Sequence, residues 1–96
     1  MSKTEILEQL KIYKDNNYSK YGIKTLGIFG SVARGDEQQD SDIDIFIETD
    51  TPNPFLIVHL KEELEATFKT HIDIVRLRKN MNPYLKDRIE SEGIHV

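Results

Sequence analysis

The sequence predicts an α/β (α+β) fold in which one mixed β-sheet is flanked by helices. Segments with apolar residues at helical spacing alternate along the chain with short runs of β-branched and aromatic residues. The 96 residues are enough for one small domain with one core, and a single sheet covered by helices is the economical way to build it. We therefore expect one domain over residues 1–96, while the order of its strands stays open.

The first half of the chain predicts a long helix, a strand, one helical turn and a second strand. Over residues 4–19, apolar side chains recur at helical spacing with Glu and Lys between them. Residues 25–29 form a short apolar strand, and residues 31–34 fit one turn of helix. A polar loop over residues 36–41 then leads to a strand over residues 43–47, where β-branched and aromatic residues favour extended backbone.

The second half predicts two helices, each followed by a strand. After a turn that contains two prolines, leucines and a phenylalanine at i, i+4 spacing indicate a helix over residues 54–69. A short strand follows over residues 71–75. The last helix is expected over residues 83–91, ends at Gly93, and precedes a short edge strand over residues 94–96.

The first strand runs directly into the turn Gly-Ser-Val-Ala-Arg-Gly, which begins at Gly30. A tight turn of this kind brings backbone N–H groups close to phosphate, and Ser31 adds a hydroxyl. For Arg34 two roles stay open: it contacts phosphate, or it pairs with an acid such as Asp36 or Asp42 to hold the turn. Taken alone, the glycines fit an ordinary turn and Ser31 fits a helix cap. Beside the aspartates described next, the turn instead predicts nucleotide binding.

Two aspartates, Asp42 and Asp44, flank Ile43 at the start of the second strand. Side chains alternate along a strand, so the two carboxylates share one face and the isoleucines at 43, 45 and 47 share the other. The isoleucine face is the natural core face, which leaves the aspartates on the open side. Two carboxylates this close repel each other, and a hard divalent cation with oxygen ligands removes the repulsion.

A third carboxylate, Asp73, alternates with Ile72 and Ile74 on the next predicted strand. If this strand lies beside the one that carries Asp42 and Asp44, three aspartates converge. Such a cluster suits two-metal nucleotidyl transfer, in which the ions contact the triphosphate, the attacking oxygen and the leaving oxygen. The histidines show no partner at ligand spacing and are expected to be ordinary surface or half-buried residues; they are His59, His71 and His95.

These features together resemble the nucleotidyltransferase superfamily of DNA polymerase beta. The resemblance is carried by Gly30-Ser31 with Ala33-Arg34-Gly35, by Ser41-Asp42-Ile43-Asp44, and by the lone Asp73 on a later strand. The compact length is similar to the minimal nucleotidyltransferase (MNT) branch, found as the antitoxin of HEPN–MNT toxin–antitoxin pairs. The resemblance covers nearly the whole chain and implies the polymerase-beta-type nucleotidyltransferase palm, in which the strands of Asp44 and Asp73 are adjacent.

The resemblance also implies an activity and its residues. Asp42, Asp44 and Asp73 would act as catalytic residues and hold two Mg²⁺ ions, with Asp73 facing the attacking hydroxyl. Gly30, Ser31 and Arg34 would bind ATP, from which AMP is transferred and pyrophosphate released. The implied acceptor is a tyrosine on a helical HEPN ribonuclease toxin, which AMPylation would silence. Two alternatives stay open: an antitoxin that only masks its toxin, and the catalytic subunit of a two-chain transferase acting on a small molecule.

The composition and net charge of the chain argue against several classes of function. The net charge of −4 argues against a free-standing nucleic-acid binder. Seven acids and no Lys or Arg lie between residues 36 and 50, whereas six bases lie between residues 69 and 88 and form either a solvated face or a contact with triphosphate or an acidic partner. The chain has no cysteine, no signal-peptide pattern and no apolar run of membrane-spanning length, so we expect a cytoplasmic protein. Its short length indicates a partner chain, in a homo- or hetero-oligomer.

Overall fold

The computed structural model describes residues 2–35, 42–51 and 53–96. In these residues helices and strands alternate in the order α1 (Lys3–Tyr21), β1 (Ile23–Phe29), α2 (Gly30–Arg34), β2 (Ile43–Thr49), α3 (Pro54–Phe68), β3 (Ile72–Arg76), α4 (Pro83–Glu92) and β4 (Ile94–His95). Each predicted helix and strand is present, and the observed bounds differ from the predicted ones by no more than two residues. The predicted polar loop over residues 36–41 lies outside the described residues.

The three long helices begin at side-chain caps that the sequence encodes locally. The Ser2 hydroxyl accepts a hydrogen bond from the Glu5 N–H at the start of α1. The starts of α3 and α4 share one pattern, in which an asparagine side chain accepts from two backbone N–H groups and a proline occupies the first turn. These caps are Asn53 and Asn82. None of the helices in the described part of the chain is both long and apolar enough to span a membrane.

The four strands form one mixed sheet in the order β3-β2-β1-β4. β1 is antiparallel to β2 and to β4, whereas β2 and β3 are parallel and are joined through α3. A parallel pair needs such a crossover, because the chain must return to the same end of the sheet before it starts the next strand. The predicted mixed sheet with flanking helices is therefore confirmed, and it places the starts of β2 and β3 at the same edge.

The sheet has two differently covered faces. On one face the isoleucines of β2 are at most 4% exposed and pack with α1 and α3 through residues such as Leu10 and Leu60. On the other face Phe46 is fully buried in a smaller cluster with Phe29, Met81 and Ile89, because α4 covers this part of β2. Asp44 points to the same face as Phe46, one pleat nearer the start of the strand. α4 therefore leaves the aspartate end of this face only partly covered.

Candidate active site

Asp44 and Asp73 lie side by side on neighbouring parallel strands. The pairing of β2 with β3 sets Asp44 opposite Asp73 and Ile43 opposite Ile72. Both isoleucines are buried in the main core, at 4% and 0% exposure, so the register that satisfies the core also turns both carboxylates to the open face. The predicted adjacency of the two aspartate strands is confirmed.

The carboxylate of Asp44 is held in surroundings that disfavour its charge. Burial is the largest effect and raises the pKa of Asp44 above its usual 3.8; the negative charges of Asp73 and Asp42 raise it further. The positive charges of Arg88 and Arg34 act in the opposite direction without cancelling the shift. A cation bound among these carboxylates would therefore relieve a repulsion that the fold imposes.

His71 joins Asp42 and Asp73 in one cluster. Its Nδ1 lies 3.5 Å from Oδ2 of Asp42 and 3.7 Å from Oδ1 of Asp73. One ligand atom from each of the three side chains lies within 4.8 Å of the others, which is a spacing that a single metal ion could bridge. His71 is exposed, as expected, but the expectation that it has no partner at ligand spacing is wrong. It precedes Asp73 by two residues and shares its strand face, just as Asp42 does with Asp44, and this spacing could have revealed it.

Because Gly30 has no side chain, the carboxylate of Asp44 can lie directly against its backbone. Phe29, at the end of β1, pairs with Asp44, so Gly30 follows directly beside the aspartate. The backbone of Gly30 has φ +76°, a left-handed conformation that favours glycine, and a Cβ atom there would overlap Oδ2 of Asp44. The Gly-Ser turn thus lies directly beside Asp44, an arrangement that fits the prediction that the turn and the aspartates act together.

Glu92, the last residue of α4, accepts hydrogen bonds from two donors of the Gly-Ser turn. Its Oε2 accepts a hydrogen bond of 3.2 Å from the Gly30 N–H, and its Oε1 accepts one of 3.1 Å from Nη1 of Arg34. Arg88, one helical turn earlier, lies 3.6 Å from the same carboxylate. A partner for Arg34 was expected at Asp36 or Asp42; Glu92 is 58 residues away in sequence, and only the fold brings it near. Asp36 itself lies outside the described residues.

Ser31 lies inside the first turn of α2 and does not cap it. The N-cap of α2 is Phe29, which provides no side-chain hydrogen bond. Ser31 is half-buried beside Gly30, on the segment that also carries Arg34. The interpretation of Ser31 as a helix cap is therefore wrong.

The fold and this site define a nucleotidyltransferase. The family description "Polymerase beta, Nucleotidyltransferase" matches residues 8–96, and the chain belongs to this family. It is 38% identical over 96 residues to "Putative protein adenylyltransferase" of Methanocaldococcus jannaschii, covering 97% of this chain and 96% of the relative. It is 33% identical over 93 residues to "Protein adenylyltransferase MntA" of Thermococcus cleftensis, covering 96% and 93%.

Solved structures share the same fold. A chain from a toxin–antitoxin crystal structure with AMP-PNP superposes with a TM-score of 0.75 at 24% identity, over 99% of this chain and 72% of that chain. The structure of a tri-AMPylated Shewanella oneidensis HEPN toxin in complex with its MNT antitoxin contains a chain that gives a TM-score of 0.73 at 19% identity, over 97% and 70%. The implied polymerase-beta-type palm is confirmed by these folds.

Proposed function

We propose that this chain is a single-domain protein adenylyltransferase that transfers AMP from ATP to a tyrosine hydroxyl of a helical HEPN-type toxin and thereby acts as its antitoxin. The observation that carries the proposal is the register of β2 with β3, which sets Asp44 beside Asp73 and brings Asp42 to the same edge. Relatives named as protein adenylyltransferases support the reaction, and the fold shared with an MNT antitoxin of a HEPN toxin supports the partner.

The side chains at the starts of β2 and β3 are suitable ligands for a divalent metal. The donor set is rich in carboxylate oxygen, which Mg²⁺ prefers, and burial, together with the charges of Asp73 and Asp42, raises the pKa of Asp44. Asp42, Asp44 and Asp73 would hold the two Mg²⁺ ions that the family resemblance implies. When bound, the ions supply positive charge against the triphosphate and against the charge that develops during transfer.

The Gly-Ser turn would bind the triphosphate. Gly30 approaches the aspartates with its backbone, and Ser31 and Arg34 follow on α2. The Gly30 N–H and the Arg34 guanidinium already bind the carboxylate of Glu92, so these donors are placed to hold an anion. The phosphates would replace Glu92 on at least one of these donors.

Asp73 would orient the acceptor hydroxyl and receive its proton. Its side chain is 49% exposed, so an approaching tyrosine can reach it from solvent. A carboxylate within hydrogen-bonding distance of a hydroxyl both fixes the attacking oxygen and takes its proton during the reaction. A partner chain that presents a tyrosine at this edge would complete the site.

Substitution of Asp73 tests whether transfer of AMP can be lost while binding of the partner is kept. Asp73→Asn preserves size, so the variant should still bind a HEPN-type partner but should lose transfer of labelled AMP from ATP. Asp15→Asn, which removes an exposed aspartate of α1, is the matched control and should transfer normally. The readout is the mass of the partner, which should gain one or more AMP groups with wild type and with the control only.

Two other outcomes identify the alternatives. If wild type and Asp73→Asn neutralise the partner equally and its mass never rises, the chain is an antitoxin that masks its toxin. If the label instead appears on a small-molecule hydroxyl only when a helical partner is present, the chain is the catalytic subunit of a two-chain transferase. Either result would reject the proposed acceptor.

A further inference from the structure

We propose that His71 is a direct ligand of one of the divalent ions and gives this site a preference for Mn²⁺ over Mg²⁺. The inference rests on the proposed function, because it concerns a metal bound at the same edge of the sheet. It adds a nitrogen donor to the carboxylates of Asp42 and Asp73, and it predicts which of the two ions, Mn²⁺ or Mg²⁺, this donor set binds more tightly.

The distances fit coordination by a single ion. Nδ1 of His71 is 3.5 Å from a carboxylate oxygen of Asp42 and 3.7 Å from one of Asp73. Bonds of about 2.0–2.2 Å from nitrogen and oxygen to a metal imply that adjacent ligand atoms of one ion lie roughly 3 Å apart. The two contacts of His71 therefore need to shorten by less than about 1 Å, a change that small rotations about the side-chain bonds can provide. The side chains of His71, Asp42 and Asp73 are 52%, 51% and 49% exposed, so these rotations are not blocked by packing.

The backbone beneath these side chains is fixed. The N–H of Ile43 donates to the carbonyl of His71 at 3.1 Å, and this hydrogen bond ties the start of β2 to the start of β3. Ile43 and Ile72, the neighbours of the ligand positions, are buried in the main core. The residues that carry the three donors thus keep their relative positions whether or not a metal is bound, which makes a preorganised site.

The imidazole changes the metal preference. Mg²⁺ favours oxygen ligands and near-ideal octahedral geometry, and it retains several waters. Imidazole nitrogen is a better ligand for transition metals than for Mg²⁺, and Mn²⁺ is the transition metal that shares the preference of Mg²⁺ for carboxylate oxygen. A set of two carboxylates and one imidazole should therefore gain affinity for Mn²⁺ from its nitrogen, while gaining little for Mg²⁺.

The electron paramagnetic resonance spectrum of bound Mn²⁺ distinguishes a ligand role for His71 from simple pairing with the aspartates. An imidazole that only pairs with Asp42 and Asp73 would be displaced by the cation or stay outside its coordination sphere. A ligand nitrogen, in contrast, couples magnetically to bound Mn²⁺ and is detected by pulsed electron paramagnetic resonance. The spectrum consequently reports coordination independently of transfer activity.

The experiment uses the full chain with Mn²⁺ as the probe. Wild type should show nitrogen coupling to Mn²⁺, and ¹⁵N-histidine labelling should change it in the way expected for the isotope. His71→Gln should abolish the coupling and weaken Mn²⁺ binding about tenfold, while Mg²⁺ binding, measured by competition, should change less than about threefold. His59→Gln is the matched control, since His59 lies on α3 and pairs with Glu63, and it should keep the coupling.

Three results would overturn the inference. Bound Mn²⁺ without nitrogen coupling in wild type excludes His71 as a ligand and leaves the proposed transferase intact. Equal loss of Mn²⁺ and Mg²⁺ affinity in His71→Gln shows a general effect on the cluster instead of selection between metals. If wild type binds neither Mn²⁺ nor Mg²⁺, with ATP present or absent, the metal-dependent function fails as well.

Discussion

Gly30→Ala should damage the site far more than it damages the fold. The substitution adds one methyl group at a residue whose φ is +76°, where the new Cβ would overlap the carboxylate of Asp44. The chain offers a matched control in Gly35, which has φ +80° but has no other atom of the described residues within 4 Å of its added Cβ. Both alanine variants place a residue with a Cβ atom in a left-handed backbone conformation, which is strained, and only Gly30→Ala also displaces an aspartate.

The expected losses of unfolding free energy and of metal affinity follow from this difference between the two glycines. A left-handed conformation costs a residue with a Cβ about 1–2 kcal/mol, so both variants should lose about that much free energy of unfolding. The atom that meets the Cβ of Gly30→Ala lies at the free end of a side chain, and it can move away by rotation at little further cost. That rotation moves the Asp44 carboxylate away from its place beside Asp73, and loss of well-placed metal ligands or their supports typically weakens affinity about 10–100-fold.

Two measurements on each variant test this reasoning. Urea denaturation should place the two alanine variants within about 1 kcal/mol of each other, because the strain is shared. Calorimetric titration with Mg²⁺ and ATP should show at least about a tenfold loss for Gly30→Ala and little change for Gly35→Ala. Equal nucleotide affinity in the two variants would refute the argument that Gly30 makes room for Asp44.

Three further substitutions test the charges around the site and the contact between helices. Glu92→Gln removes one negative charge beside the Gly30 N–H and Arg34, so binding of inorganic triphosphate should tighten several-fold; weaker binding would show that Glu92 is needed to hold the turn. Asp44→Asn should stabilise the metal-free chain at pH 7, because the fold disfavours the Asp44 charge; the gain in unfolding free energy should shrink as the pH falls through the raised pKa and vanish below 3.8, where that group is protonated in both states. Tyr13→Phe removes a 2.7 Å hydrogen bond to Glu63 and should cost about 1 kcal/mol in urea denaturation while raising the pKa of Glu63, measured by NMR titration.

Local patterns in the sequence were sufficient to predict the helices and strands and most residues of the candidate site. Helical spacing, the alternation of isoleucine with aspartate, and the Gly-Ser turn are each properties of a few consecutive residues, so the helices, strands and carboxylate face follow from short-range rules. The order of the strands depends on pairings between distant segments and was not predicted; only the adjacency of the Asp44 and Asp73 strands was expected, and that came from the resemblance. His71 was missed although its spacing to Asp73 repeats that of Asp42 to Asp44.

Glu92 could not have been predicted by any local pattern. It reaches Gly30 because the buried Ile89 fixes α4 against Phe46, and this packing places the last turn of the helix at the end of β1. The contact joins residues 62 positions apart, so it depends on the whole arrangement of sheet and helix. Charge alone would have suggested a basic partner near this carboxylate without saying which one.

Core packing and site geometry in this chain depend on the same strand register. A shift of β2 by one residue would turn its isoleucines to the open face and bury its aspartates, so the burial of Ile45 opposes any register that dismantles the site. The same register places Phe46 under α4, which anchors the helix that carries Glu92 and Arg88 to the Gly-Ser turn. Repelling carboxylates are therefore held together by apolar contacts on both faces of one strand, and their unfavourable charge is the property that suits the edge to bind a cation.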